Sequence, residues 1–245
     1  MGCVRLCRIM EFSTLTPGQL TIAASDFDAR PMSYLENGER LGYEPAVARA
    51  VCAKLGLVPV WQNLPMSEFY STLHAGQCDV VWFNQAVTAE RLSHSRFTQP
   101  YGIYNEAVIV RADSPIYAVD DLRGRKLGGL ADSTNLALGE QFANVTLVPF
   151  PGSDQVLPEM LAALRAGEID ALVDDELVLI TAAEADPSLR LAFTVETRHP
   201  FAIALRPADE GLRQALDQTL EALLSDGTLA ALWSQWIPWR PFPFV

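Results

Sequence analysis

The sequence predicts an α/β protein built from two similar units, and three observations carry this prediction. First, strand-like apolar stretches alternate with helix-like stretches along most of the chain, a pattern typical of parallel strands joined by helical crossovers. Second, the run from Val80 to Phe83 is apolar at every position, as expected of a strand covered on both faces. Third, one helix and strand pattern occurs twice at identical spacing.

Each copy of the repeated pattern is a helix, an Ala-Gly stop and an apolar strand. The first copy contains Glu68, Leu73, Ala75, Gly76 and Asp79, and the second contains Glu159, Leu164, Ala166, Gly167 and Asp170. The first strand leads toward Arg91, and the second ends in the acidic run 174–176. In an open α/β sheet, ligands bind at the carboxyl ends of strands. Two units that present a cation and carboxylates at equivalent strand ends would suit a zwitterion held between them.

The other elements follow in chain order from apolar periodicity and from residues that begin or end helices. Gly56 ends the first long helix, Thr88 is placed to cap the helix after it, and Asp132, Ser133 and Thr134 together offer a cap for a later helix. Strands are predicted at 20–24, 57–61, 80–83, 107–110, 126–130, 145–150, 169–173, 191–195 and 201–205. Helices are predicted at 45–55, 67–74, 117–125, 135–142, 156–166, 177–185, 212–224 and 229–237. The tail 238–245 is expected to lie extended on the surface of one unit.

Composition argues against several classes of partner. The 245 residues carry 30 acidic and 18 basic side chains, a net charge of −12, which disfavours nucleic acid and anionic membrane. No segment approaches the ~18 apolar residues of a membrane span. The opening residues 1–19 are expected to form a loose extension and lack a convincing signal peptide.

The cysteines and histidines do not suggest a metal or a cofactor. Cys3 and Cys7 lie in the amino-terminal extension, whereas Cys52 and Cys78 fall on positions typical of a core. A bridge between Cys52 and Cys78 stays open, because a helix end and a strand start can be neighbours. The three histidines show no ligand spacing.

Six stretches, in this order and spacing, resemble the extracytoplasmic solute-binding proteins of family 3, the amino-acid receptors of ABC importers. The resemblance covers about residues 20 to 237. The stretches are SDFDARPMSYLENGERLGYEPAVARAV, AGQCDVVWFNQAVTAER, FTQPYGIYNEAVIVRADSP, DDLRGRKLGGLADST, LRAGEIDALVDDE and DGTLAALWSQW.

The resemblance implies a two-lobed periplasmic-binding-protein-like fold (type II) with two hinge strands. It also implies a periplasmic or other extracytoplasmic location, and membrane permease subunits as partners. The implied divisions are an extension at 1–19, lobe 1 at 20–108 and 199–245, lobe 2 at 109–198, and hinges near 106–110 and 196–202.

The resemblance also assigns roles in binding a small amino acid or related zwitterion. Arg91 corresponds to the arginine that grips the ligand carboxylate, and Asp175 to the aspartate that takes the ammonium. Ser133 and Thr134 match the turn that supplies amides and a hydroxyl, and Asp26 matches a cleft-lining position.

Between the strand and Arg91 the sequence departs from the family pattern. The family usually has small hydroxyl residues or glycine there, whereas this chain has Phe83, Asn84, Gln85 and Ala86, which we also predict to line the cleft. A hydroxyl that commonly contacts the ligand is missing at Ala86, and Phe83 is a candidate replacement for an apolar wall.

Other interpretations of the same residues stay open. Arg91 could pair with Glu90 or Asp26 on the surface, and the run 174–176 could be a solvated helix start, where acids are favoured. Some relatives of these receptors are cyclohexadienyl (arogenate or prephenate) dehydratases, for which Glu176 is the candidate proton donor. A sensor module that binds a ligand without transport is the third possibility.

Overall fold

The protein contains two β-sheets covered by helices, and the computed structural model describes residues 12–244. The strands are β1 (Gln19–Ala24), β2 (Tyr34–Glu36), β3 (Glu39–Leu41), β4 (Val58–Asn63), β5 (Val80–Val81), β6 (Arg96–Phe97), β7 (Gly102–Arg111), β8 (Lys126–Leu130), β9 (Thr146–Phe150), β10 (Ala171–Asp175), β11 (Leu189–Phe201) and β12 (Ala204–Leu205). The α-helices are α1 (Tyr43–Leu55), α2 (Phe69–His74), α3 (Ala89–His94), α4 (Thr134–Leu138), α5 (Val156–Ala166), α6 (Glu176–Ala185), α7 (Glu210–Ser225) and α8 (Thr228–Trp236). Cys3, Cys7 and most of the predicted extension lie outside the described residues, as does Val245.

The first sheet has the strand order β4-β1-β5-β12-β6. Strand β1 is parallel to both β4 and β5, which confirms the crossover connections predicted from the alternating elements. Helix α1 precedes β4 and ends before Gly56. The φ of Gly56 is 70°, the left-handed conformation expected of a glycine that caps a helix. Strand β12 joins this sheet antiparallel to β5 and β6.

The second sheet has the order β11-β7-β10-β8-β9. Strand β8 is parallel to β9 and β10, whereas β7 is antiparallel to β10 and β11. The chain leaves the first sheet after Phe97 and returns to it at Ala204, so two segments connect the sheets. This is the two-lobed arrangement with two connecting strands that the sequence predicts. Among the described residues, no helix has both the length and the apolar composition needed to cross a bilayer.

The clearest differences from the sequence prediction lie in three elements. Strand β5 ends at Val81 rather than at 83, because the chain turns out of the ladder and reaches a positive φ of 47° at Asn84. Strand β11 is one strand of 13 residues, since it pairs along β7 through two register shifts. Residues 117–125 contain a short 3₁₀ turn, Val119–Leu122, in place of the predicted helix.

The repeated units have the same local structure. Gly76 and Gly167 end their helices with φ of 69° and 75°. Asp79 then accepts a hydrogen bond from the Thr21 N–H at 2.7 Å, and Asp170 accepts one from the Lys126 N–H at 2.9 Å. Each aspartate thus ties the start of one strand to the neighbouring strand, which explains why the pattern requires an acid at this spacing.

The structure answers two questions that the sequence left open, the state of the buried cysteines and the path of the tail. Cys52 and Cys78 are free and buried, so the bridge left open by the sequence does not form. Burial raises the pKa of the Cys52 thiol to about 12 and that of Cys78 to about 11. The tail folds back instead of lying extended: the Trp233 Nε1–H donates to the Arg240 carbonyl at 2.8 Å.

Gly42 allows α1 to begin against the preceding loop, and its replacement should be costly. Its φ is 120°, and a Cβ there would lie 2.4 Å from the Met32 carbonyl oxygen. We expect Gly42→Ala to lower the free energy of unfolding by at least about 2 kcal/mol in urea titrations, because backbone strain and a clash add. Gly38→Ala is the matched control, since Gly38 also has a positive φ but no atom near its Cβ position. Equal losses in the two variants would contradict this explanation.

Candidate ligand-binding site

The carboxyl ends of strands from the two sheets meet across a cleft. Asn84, just after β5, donates a hydrogen bond through its side-chain amide to the carboxylate of Asp175, at the end of β10. Beside this contact, Asp154 of the second lobe accepts a bond from the Ser25 hydroxyl and one from the Asn63 amide, both at 3.1 Å. The lobes are therefore in direct polar contact, and the cleft lies between strand ends as the sequence predicts.

Arg91 lies at the start of a capped helix. The Thr88 hydroxyl accepts a hydrogen bond from the Arg91 N–H at 3.2 Å, so Thr88 is the N-cap predicted from the sequence. The Arg91 side chain turns back, with Nη1 donating to the Ala86 carbonyl at 3.0 Å and Cζ lying 5.5 Å from the centre of the Tyr70 ring. A guanidinium has five N–H groups, so the bond to Ala86 is compatible with a fork to a carboxylate.

Asp175 is a buried carboxylate held by two hydrogen bonds. It is 2% exposed, and its carboxylate accepts from the Leu177 N–H at 2.7 Å as the N-cap of α6 and from the Asn84 amide. Burial raises the pKa of Asp175 well above its ordinary value, although the Leu177 and Asn84 bonds act in the opposite direction. A desolvated carboxylate of this kind favours a cationic partner.

The acidic run at this strand end is buried throughout, so its interpretation as a solvated helix start is wrong. Asp174 is 9% exposed and accepts a hydrogen bond from the Asn135 amide, and burial raises its pKa to about 6. Glu176 accepts a hydrogen bond from the Asn105 N–H at 3.0 Å and forms an ion pair with Arg240 of the tail.

Tyr104 is a buried tyrosine whose hydroxyl faces the start of α4. Its ring is buried, and its hydroxyl lies 3.4 Å from the Thr134 hydroxyl. Burial raises the pKa of Tyr104, the charge of Asp175 raises it further, and Arg91 lowers it. The charges of Arg91 from the first lobe and of Asp175 from the second therefore both act on the Tyr104 phenol.

Asp26 has a partner that the sequence did not indicate. Its carboxylate pairs with the guanidinium of Arg40, whose side chain is only 3% exposed and also donates to the Ser25 carbonyl at 2.6 Å. Burial lowers the pKa of Arg40, an effect that Asp26 opposes. Asp26, just after β1, is thus bonded to Arg40 rather than to Arg91, and its contact with a ligand stays a prediction.

Phe83 forms part of an aromatic cluster in the first lobe. Its ring centre lies 5.2 Å from that of Phe27 and 5.9 Å from that of Phe69, both in edge-to-face geometry. Phe83 is 3% exposed. The cluster gives this side of the cleft an apolar backing, which agrees with Phe83 as a substitute for a missing apolar wall.

The next two predicted residues are directed into the first lobe. Gln85 is 2% exposed, donates to the Phe83 carbonyl and accepts a hydrogen bond from the Tyr70 hydroxyl at 3.1 Å. Ala86 is buried and supplies the carbonyl that holds Arg91. These contacts indicate a supporting position for both residues, and their contact with a ligand stays a prediction.

Ser133 and Thr134 begin α4 as predicted. The Ser133 hydroxyl donates to the Leu130 carbonyl at 2.7 Å and accepts from the Leu136 N–H at 3.1 Å, so it is engaged in capping the helix. The Thr134 hydroxyl lies 3.0 Å from Asn135 Oδ1 and faces Tyr104. Contact of either hydroxyl with a ligand stays a prediction.

Besides Arg40, sequence reasoning missed four further residues that support this site. Tyr104, Asp154 and Asn63 contact predicted residues or bridge the lobes, and Glu44 holds the backbone of Asn84 at 2.7 Å. Only weak sequence signals pointed to two of them: Glu44 is an acid that follows Gly-Tyr at a helix start, and Tyr104 precedes an apolar strand. Within residues 12–244, no three His, Cys, Asp or Glu side chains are grouped so that they could hold a metal ion.

Comparison with known proteins assigns the chain to a family. Residues 21–238 match the model of the bacterial extracellular solute-binding proteins, family 3. The chain belongs to this family. As a family 3 solute-binding protein, it has the fold that its sequence predicts: it superposes on a solved ancestral arginine-binding protein bound to glutamine with a TM-score of 0.83 and 25% identity, covering 91% of this chain and 99% of that one.

Two curated proteins are similar in sequence to this family 3 protein. A probable amino-acid ABC transporter-binding protein of Haemophilus influenzae is 29% identical over 205 residues, covering 82% of this chain and 77% of that protein. A probable amino-acid-binding protein of Bacillus subtilis is 29% identical over 209 residues, covering 82% and 78%.

Proposed function

We propose that this family 3 protein binds a small amino acid or a related zwitterion between its lobes, with the carboxylate on Arg91 and the ammonium on Asp175. The observation that carries the proposal is the buried carboxylate of Asp175, which accepts a hydrogen bond from the Asn84 amide of the opposite lobe, seven residues before Arg91. An ammonium at Asp175 would compensate the cost of keeping that carboxylate charged away from water.

The two lobes should close on the ligand about the connecting strands β7 and β11, because each lobe contributes one of the two charged side chains. A ligand that bonds to both lobes stabilises the closed form by the difference between its affinities for the closed and open forms. The polar contacts of Asp154 with Ser25 and Asn63 add to closure. We place the lobes as residues 20–108 with 199–245, and 109–198.

The family and the names of its relatives support a role in import. We propose that the protein works outside the cytoplasm and delivers its ligand to the permease subunits of an ABC importer. The solved relative bound to glutamine, and the names of the two curated relatives, support an amino acid as the cargo.

We also propose that the chain is not an enzyme. A dehydratase would use Glu176 as a proton donor, yet this carboxylate already accepts the Asn105 N–H and lies against Arg240 of the tail. Incubation with arogenate and with prephenate should give no aromatic product. Turnover of either compound would contradict the proposal.

A thermal-shift screen against amino acids and related zwitterions tests binding. A ligand at ~100 times its dissociation constant stabilises the fold by about 2.7 kcal/mol, or about 5 to 10 °C for a chain of this size. We expect at least one amino acid to give such a shift. A screen in which no zwitterion raises the melting temperature would contradict the proposed function.

A further inference from the structure

Glu44 is a buried acid outside the predicted site. It lies in the first turn of α1 and is 2% exposed. One of its carboxylate oxygens, Oε1, accepts a hydrogen bond from the Asn84 N–H at 2.7 Å and a second from the Tyr101 hydroxyl. Glu44 therefore joins the start of a helix to the segment that follows β5.

Asn84 needs such support because of its backbone. Its φ of 47° lies in the left-handed region, which an asparagine adopts at a cost. From this conformation the Asn84 side-chain amide reaches across the cleft to Asp175. Among the described residues, the Asn84 Oδ1 atom is buried without a hydrogen-bond partner, so it is an available acceptor beside that carboxylate.

We propose that Glu44 is a positioning residue for the cleft: its carboxylate holds Asn84 in the conformation from which the Asn84 amide bonds to Asp175. Glu44 thereby links a buried helix start in the first lobe to the carboxylate of the second lobe. The consequence for ligand binding rests on the function proposed above, because Asp175 and Asn84 Oδ1 are the acceptors that an ammonium would meet.

The surroundings of Glu44 make this support sensitive to protonation. Burial raises the pKa of Glu44 to about 7, although the bonds from Tyr101 and Asn84 and the charge of Arg40 lower it. The other titratable group facing it is Tyr43, whose own pKa is raised by burial and by Glu44. Because the pKa is raised, the charged form that binds the Asn84 N–H most strongly is lost as the pH falls through about 7.

NMR of the ligand-free protein tests the inference. We expect the backbone amide and the side-chain amide of Asn84 to shift with one common midpoint near pH 7 in a titration from about pH 5 to about pH 9. In Glu44→Gln, which keeps an oxygen acceptor but loses the charge, this step should disappear from both amides. A purely structural Glu44 would not move the Asn84 side chain.

Asp175→Asn is the control, since it removes the other acid bonded to Asn84. The common step should persist in this variant because Glu44 is unchanged. If Glu44→Gln fails to fold, the pH midpoints of the two Asn84 amides in the wild type and in Asp175→Asn still test the inference. A side-chain amide that does not follow the backbone midpoint, or a backbone amide with no step, would overturn the inference. Because no ligand is used, this outcome is independent of whether any amino acid binds.

Discussion

Arg91→Ala is expected to remove most of the affinity for the amino acid found in the screen. Loss of one charge of a buried, hydrogen-bonded pair weakens binding by roughly 2 to 5 kcal/mol, or about 30- to 5,000-fold in Kd. The Arg91 side chain donates to the Ala86 carbonyl from the first turn of α3, where Thr88 fixes the backbone. Titration calorimetry of the two proteins measures the difference.

Two variants separate the role of Arg91 from general effects of charge. Arg91→Lys keeps the charge but not the planar fork, so its Kd should lie between those of the wild type and Arg91→Ala. Arg96→Ala removes an exposed cation after the same helix and should leave the Kd unchanged within about threefold. An Arg91→Ala protein that binds as tightly as the wild type would contradict the proposed carboxylate site.

Asp175→Asn is expected to separate binding from stability. The substitution is nearly isosteric but removes the charge that would pair with the ammonium, so the Kd should rise by a similar factor, roughly 30- to 5,000-fold. Because burial raises the pKa of Asp175, ionisation of this group destabilises the ligand-free fold above its unfolded pKa. The unfolding midpoint of the ligand-free variant should therefore change little or rise.

The raised pKa of the Asp175 carboxylate should make ligand binding depend on pH. A ligand ammonium favours ionised Asp175, so binding should release a proton and affinity should fall as the pH drops through the raised pKa. Calorimetry in buffers of different ionisation enthalpy detects that proton. Asp174→Asn is the matched control, because Asp174 is the neighbouring buried acid but bonds to Asn135 and to the backbone of its own lobe. Equal losses of affinity in the two variants would contradict the assignment to Asp175.

Features set by local sequence were predictable. Thr88 caps its helix as expected, Ser133 is the one of the three offered residues that caps α4, and Gly56 ends α1, because capping depends on residues within a few positions of each other. The repeat at Asp79 and Asp170 was also visible, since each acid follows an Ala-Gly stop at fixed spacing.

The contacts that complete the cleft were not predictable from one sequence. Asn84 meets Glu44 across 40 positions of the chain and Asp175 across 91, and Asp154 meets Ser25 across 129. Such pairs carry no periodic or spacing signal. The early end of β5 has the same origin, because the Asn84 N–H donates to the Glu44 carboxylate, which holds Asn84 outside the strand.

The most direct test of the central claim is a crystal structure of the protein with the amino acid that gives the largest thermal shift. We expect the ligand between the lobes, with its carboxylate within hydrogen-bond distance of the Arg91 guanidinium and its ammonium on the Asp175 carboxylate. A ligand bound elsewhere, or bound in the cleft with neither group contacting these two side chains, would contradict the account.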